Sequence, residues 1–307
     1  MRLGPSGRQG STATSVTSTT GQALLGLQSG QSGTLSANEK TGETTCAPLS
    51  EFADNPNPMA KPTYLIIIPY LPLACQGKEL LYAIEGWRKH FKENYHIVVI
   101  GEGVHGLDAP DLTCINSERV PEAAGQYRQH VDYVHCLQKV RKLYPRTKGF
   151  IMVADDCYAV NDFGIKDVKS LKMLEPTLDF QPDSTNAWRR DKAKTKQALL
   201  DAGLPTRNFT THLPQYYEWS KWEALVEKYH MDRESYVIED LYYNTYHPDE
   251  VPVCVKDPGQ NLKLGVYSST PDAEEIRRAF NDKIWITNSP IGWVPALYNA
   301  LADYFKI

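Results

Sequence analysis

Six cysteines are scattered along the 307 residues, at positions 46, 75, 114, 136, 157 and 254, and no two of them form a Cys-x-x-Cys pair. That absence excludes the common zinc and dithiol motifs, and it points to reduced thiols in a cytoplasmic setting. No uninterrupted apolar run is long enough to cross a bilayer, so no membrane span is expected. Charge of one sign is also lacking: 33 Lys and Arg against 37 Asp and Glu leave a net charge of −4. This argues against nucleic acid as a general partner, although a local basic patch stays open.

Aromatic residues are missing from residues 1–50, where 25 positions are Ser, Thr or Gly. Such a stretch cannot bury enough apolar surface to offset its ordering entropy, so residues 1–60 are expected to be a disordered tail. Its one apolar cluster, Ala23-Leu24-Leu25-Gly26-Leu27, is too short for a signal-peptide core. Met59 offers an alternative start of translation. All 18 Tyr and all six Trp lie beyond the tail. Residues 61–307 therefore carry the fold, expected as one α/β domain with a first half over 62–170 and a second over 171–307.

Periodicity supplies the elements. Tyr64–Pro69 and Ile97–Ile100 are short apolar runs that predict buried strands, and residues 78–93 between them repeat apolar side chains at helical spacing. This β-α-β opening implies parallel strands covered by a helix. A third strand is expected at Leu112–Ile115, then a helix over 125–143, then a strand through Gly149–Ala154. The fold class is thus α/β, a mainly parallel sheet flanked by helices, with a mixed α+β second half. In that half the sequence predicts helices over 191–202 and 220–230, the latter opening on a Ser220–Glu223 capping box. It also predicts a β pair from Val251–Val255 and Leu262–Tyr267, a helix from Thr270-Pro271, a strand at Ile284–Thr287 and a last helix over Trp293–Phe305.

The strand through Gly149–Ala154 ends in Asp155-Asp156. Open α/β sheets place ligands at the carboxyl ends of their strands. Two adjacent carboxylates there repel unless a proton or cation lies between them, and a divalent metal gripping phosphate oxygens would serve. A turn or a helix cap is the alternative. Gly101-Glu102-Gly103-Val104-His105-Gly106 matches a dinucleotide fingerprint but runs into Pro110-Asp111 rather than a helix, so these are read as turn glycines. Asn208-Phe209-Thr210 is a formal glycosylation sequon, read as incidental beside reduced cysteines. His212, in a loop before Pro214, is a candidate base or ligand. Arg189 and Arg190 open a basic helix, either as a solvated face or as a receiver of phosphate.

This order of motifs resembles the nucleotide-sugar half of GT-A glycosyltransferases. Phe150–Tyr158 in particular resembles the Asn-Asp-Asp block of the Stealth family of sugar-phosphate transferases, although Ala154 stands in place of the Asn. Asn186, the helix after it, His212-Leu213-Pro214, the next helix and Ile284–Ser289 follow in that family's order. The family's Asp-Gly signature after the first strand is absent, Tyr236 stands near the place of an expected Arg before Glu239-Asp240, and Asn288-Ser289 replaces Asn-Asp. The resemblance implies a GT-A-like fold and a transferase that moves a sugar or sugar phosphate from a nucleotide-sugar donor, a UDP-sugar first, to a carbohydrate or other hydroxyl acceptor. It implies Mn²⁺ or Mg²⁺ on Asp155 and Asp156, and His212 at the acceptor hydroxyl or phosphoryl group. Asn186, Arg189, Arg190 and Asn288 would then contact the donor, and Tyr216, Tyr217 or Trp219 would stack on a sugar or fill the core. A non-catalytic sugar-binding protein and a glycosyltransferase acting on modified nucleic-acid bases are the competing readings.

Overall fold

The structure is a computed structural model that describes residues 64–71, 75, 77–104, 109–120, 129–179, 186–267 and 271–307. The expected tail, Pro72, His105-Gly106, residues 125–128 of the expected second helix and Thr270 lie outside the described residues. The described residues all fall in one compact unit.

In chain order the elements are β1 (Tyr64–Pro69), α1 (Glu79–His90), β2 (Tyr95–Gly101), β3 (Leu112–Asn116), α2 (Gln129–Leu143), β4 (Gly149–Met152), β5 (Cys157–Ala159), α3 (Ile165–Lys169) and β6 (Lys172–Met173). There follow α4 (Ala187–Asp201), β7 (Gln215–Glu218), α5 (Trp219–Tyr229), α6 (Ile238–Tyr246), β8 (Val253–Cys254), β9 (Lys263–Val266), α7 (Ala273–Asp282), β10 (Trp285–Asn288) and α8 (Pro295–Phe305). The main sheet has the order β3-β2-β1-β4-β7. Its first four strands are parallel, and β7 closes the edge antiparallel to β4.

The apolar run of β1 is buried on both faces, as a central parallel strand requires. Its side chains alternate. Leu65 and Ile67 join α2, α4, α5 and α6 in one core, whereas Ile66 and Ile68 join Leu80, Ile84 and Trp87 of α1 in another. Beyond Met152 the chain leaves this sheet, turns at Asp155-Asp156 and enters a second sheet, β5-β10-β9. The aspartate pair therefore sits where two sheets meet, at the carboxyl end of β4.

Several expectations change in the second half. Val251–Val255 and Leu262–Tyr267 do not pair with each other: β8 lies beside β6, and β9 lies parallel to β10. Helix α4 begins at Ala187, not at 191, because Asn186 caps it by accepting the Arg189 backbone N–H at 3.1 Å. Helix α5 begins at Trp219, and its Glu218 cap makes no side-chain hydrogen bond, so the Ser220–Glu223 box is not formed. Strand β7 and helix α6 were not legible as periodic segments. Tyr217 and Trp219 are fully buried, and Phe150 stacks on Tyr217 at 5.1 Å, so they are core side chains rather than a sugar platform. No helix follows Gly103 among the described residues. Gly101 is instead a packing glycine, since a Cβ there would lie 1.7 Å from the Tyr70 carbonyl oxygen. Asn208 is wholly buried, which withdraws its sequon from any modifying enzyme.

Candidate active site

Asp155 and Asp156 form the turn between β4 and β5, and the Asn288 backbone N–H donates to the Asp156 carbonyl at 3.2 Å to tie that turn to the end of β10. The Asp156 side chain is 18% exposed. Its Oδ1 is nonetheless shielded from water and has no hydrogen-bond partner among the described residues. Burial, the Asp156 charge and the Glu79 charge together push the Asp155 carboxyl up to about 7. Two half-buried carboxylates are thus held close together, and the shielded Asp156 Oδ1 has no hydrogen-bond donor among the described residues.

A ring of polar groups surrounds the pair. Glu79, buried at the start of α1, accepts from Asn288 Nδ2 at 2.7 Å, and Asn288 Oδ1 accepts from the Tyr158 hydroxyl at 2.5 Å. The side chain of Asn288 is fully buried by these contacts, so it supports the turn from beneath instead of facing a donor. Tyr70, at the end of β1, lies near Asp155 and Cys75, and burial holds its phenol above the usual range.

His212 faces the pair from the other side, with Nδ1 at 3.9 Å from Asp156 Oδ1 and 47% of the side chain exposed. Its φ of +59° is uncommon outside glycine, and such strain persists only where the surroundings fix it. Here Lys263 Nζ donates to the Thr211 carbonyl at 2.5 Å, and Gln215 Nε2 donates to the Phe209 carbonyl at 2.7 Å. Burial lowers the Lys263 ammonium to about 8, against the pull of nearby Cys157 and Asp156.

Behind this loop lies a second charged centre. Lys192 Nζ, fully buried, donates to Asp240 Oδ2 at 2.5 Å, Thr210 Oγ1 at 2.7 Å and Asn208 Oδ1 at 2.9 Å. Asp240 Oδ1 accepts the Phe209 N–H at 2.6 Å. Burial pushes lysine down and aspartate up, but three acceptors for three ammonium protons hold the pair ionised. Lys192 therefore belongs to the core and not to a phosphate patch, as a basic face over 188–194 would have had it.

Asn186, Arg189 and Arg190 stand at the start of α4, Asn186 as its cap and the arginines on its first turn. Among the described residues no hydrogen bond or ion pair joins them to Asp155, Asp156 or His212. Nor do any three His, Cys, Asp or Glu side chains there stand close enough to hold a metal by themselves. A cation there would have Asp155 and Asp156 as its protein ligands, and the unpartnered Asp156 Oδ1 is the atom that suits one.

No family model matches this chain, and no curated protein does. Among solved structures it is similar to WbbM, a bifunctional glycosyltransferase, with a TM-score of 0.48 and 14% identity over 81% of this chain and 50% of that one. The chain thus spans half the length of WbbM. It is also similar to a glycosyltransferase involved in the glycosylation of the major capsid of PBCV-1, with a TM-score of 0.38 and 11% identity over 80% of this chain and all of that one. The likeness is one of fold alone, and the chemistry of the site is read from this chain's own side chains. No helix among the described residues is long and apolar enough to cross a membrane.

Sequence reasoning missed Glu79, Glu239, Lys263 and Tyr267. Glu239 opens α6 next to Asp240; its Oε2 is shielded and unpartnered among the described residues, and burial raises its carboxyl while His212 and Lys192 oppose that rise. The Glu239-Asp240 pair was part of the family resemblance, but it carried no role there because the helix that holds it was not recognised. Lys263 and Tyr267 were legible in principle, because alternate positions of a strand share one face.

Proposed function

We propose that this chain is a divalent-cation-dependent glycosyltransferase that moves a sugar from a nucleotide-sugar donor to a hydroxyl acceptor. The observation that carries this reading is the Asp155–Asp156 turn: a desolvated, unpartnered carboxylate oxygen beside a second carboxylate, with an imidazole 3.9 Å away. The two solved structures named above are glycosyltransferases, which agrees with the reading without carrying it.

Asp156, with Asp155 beside it, would hold Mn²⁺ or Mg²⁺ on the donor diphosphate. The bound cation supplies charge neutralisation to the departing nucleotide diphosphate. Asn288, Tyr158 and Glu79 fix the turn, so the carboxylates need not reorganise when the donor arrives. His212 keeps Nδ1 toward Asp156, and Nε2 takes the acceptor proton as the hydroxyl attacks the anomeric carbon. Its strained loop, clamped by Lys263 and by the Lys192–Asp240 pair, sets where that nitrogen stands. Arg189 and Arg190 lie on the first turn of α4 and would meet donor phosphates as the donor enters. The place of an expected Arg before Glu239 holds Tyr236, which packs on Tyr229 at 5.6 Å and beneath Lys194. That difference favours transfer of the sugar over the sugar phosphate.

The test is donor turnover. The chain, given UDP-sugars with Mn²⁺, should release UDP slowly even without acceptor, and Asp156→Asn should abolish release while the melting midpoint stays near that of the parent. A fully active Asp156→Asn protein would end the proposal.

A further inference from the structure

One exposed aromatic side chain is built into the mouth of this site in a way that its packing alone does not explain. Tyr267 directly follows β9 and is 41% exposed. Half-exposed tyrosines ordinarily bury the ring and offer the hydroxyl to water. Here the order is reversed. The Tyr267 hydroxyl is turned inward, accepting from Lys263 Nζ at 2.8 Å and sharing a hydrogen bond with the buried Thr287 Oγ1 at 3.0 Å.

The ring itself lies across a glycine. A Cβ on Gly265 would stand 2.3 Å from Tyr267 Cε2, so only glycine lets the ring rest on that strand. Lys263, Gly265 and Tyr267 alternate along β9, and Thr287 of β10 is in register with Gly265. Anchor, shelf and ring are thus one face of two neighbouring strands. A phenol held at its tip and lying on a bare backbone offers its apolar face outward in a single orientation.

That face borders the proposed chemistry. The His212 ring lies 6.0 Å from the Tyr267 ring at an interplanar angle of 65°, and His212 Nδ1 lies 3.9 Å from Asp156 Oδ1. The order is therefore aspartate pair, imidazole, aromatic shelf. If donor phosphates sit on the aspartates and His212 takes the acceptor proton, the acceptor lies beyond His212, which is where Tyr267 is.

We infer that Tyr267 is the stacking platform of the acceptor subsite, and that the acceptor is a pyranose whose C–H face packs on its ring; this rests on the transferase reading above. A pyranose matches because one of its faces is largely axial C–H and its rim is hydroxyl, so it can lie on the ring and still present a hydroxyl to His212. Tyr267 binds and positions; the proton transfer belongs to His212.

Saturation-transfer NMR on the full chain, with UDP and Mg²⁺ present, tests this with methyl glucopyranoside, methyl galactopyranoside and methyl mannopyranoside as probes. At least one probe should receive saturation at its ring protons. Tyr267→Phe keeps the ring and should hold the affinity within about threefold, whereas Tyr267→Ser should weaken it by roughly fivefold or more, the size of one aromatic contact. Tyr267→Leu serves if the serine variant does not fold. Asp156→Asn should lose Mg²⁺-dependent UDP binding and keep the pyranoside. No transfer to any probe in the parent, an unchanged affinity in the serine or leucine variant, or a Tyr267 dependence confined to the uracil ring of UDP would each overturn the proposal. Tyr267-dependent pyranoside binding without UDP binding would instead sink the donor reading and leave the shelf standing.

Discussion

Two acidic centres lie within this fold, and they are treated in opposite ways. At the seam of α4 and α6, Asp240 is fully buried and every charge is answered: Lys192 at 2.5 Å, and the Phe209 N–H on the other oxygen. At the β4–β5 turn, the half-buried Asp155 and Asp156 lie side by side, with Glu79 nearby and the shielded Asp156 Oδ1 without a hydrogen-bond partner among the described residues. The first centre is structural, since it fixes the loop that carries Thr210 and His212. The second sets two like charges side by side with no counter-charge paired to them among the described residues, a strain of the kind that functional sites carry and cores avoid. Glu239 links the two environments, because it adjoins Asp240 in sequence, leaves Oε2 unpartnered among the described residues and feels the charges of both Lys192 and His212.

The comparison breaks most readily at the seam. Asp240→Asn leaves a buried ammonium without its counter-charge, and such losses cost about 3–5 kcal/mol. Chemical denaturation should show that loss, together with a weakened grip on the His212 loop. Asp156→Asn should do the reverse, because removing one of two repelling carboxylates relieves strain; the expected change is a gain of up to about 1 kcal/mol. If Asp156→Asn destabilised the fold as much as Asp240→Asn, the aspartate pair would be structural after all.

Acid offers a third probe. His130 is buried with neither ring nitrogen partnered among the described residues, and burial, with Lys192 adding to it, lowers its pKa to about 3. Below the ordinary histidine pKa the unfolded chain takes up a proton that the folded chain refuses. Stability therefore falls as pH falls from about 6.5 toward 3, at up to about 1.4 kcal/mol per unit. His130→Leu should flatten that limb in denaturant titrations at pH 7, 5.5 and 4, and it should leave the behaviour of Asp156→Asn untouched. A slope that survives the substitution would move the acid sensitivity to the carboxylates.

The first half of the chain was legible because its pattern is local. The uninterrupted apolar runs of β1 and β2 can only be buried strands, and the helical spacing from Leu80 to Trp87 can only cover them. Asp155-Asp156 announced itself as the polar end of such a run. The second half resisted because its decisive contacts are between distant segments. Whether Lys192 was a surface charge or a core one depended on Asp240, 48 positions away. Whether Val253 paired with β9 or with β6 depended on a sheet that no single stretch encodes. Tyr216, Tyr217 and Trp219 looked equally apt for sugar or core, and the placement of β7 against β4 decided for core at Tyr217 and Trp219, leaving Tyr216 half-buried. The platform at Tyr267 needed Gly265 and Thr287 together, and Thr287 comes from another strand.

The smallest effect bears on how far local signals can be trusted. Ser220-Lys221-Trp222-Glu223 reads as a capping box, and a serine that truly capped α5 would cost about 1 kcal/mol on replacement by alanine. In the fold α5 starts one residue earlier, at Trp219, whose indole is buried against Phe150 at 4.1 Å and donates to Thr147 Oγ1 at 3.0 Å. Burying that indole fixes where the helix must begin, and it places Ser220 inside the first turn, where alanine is the better helix former. Ser220→Ala should therefore change stability by less than about 0.5 kcal/mol, and in the stabilising direction. A loss near 1 kcal/mol, measured by urea denaturation at constant slope, would mean that the hydroxyl caps the helix and that tertiary burial of Trp219 has not overridden the local motif.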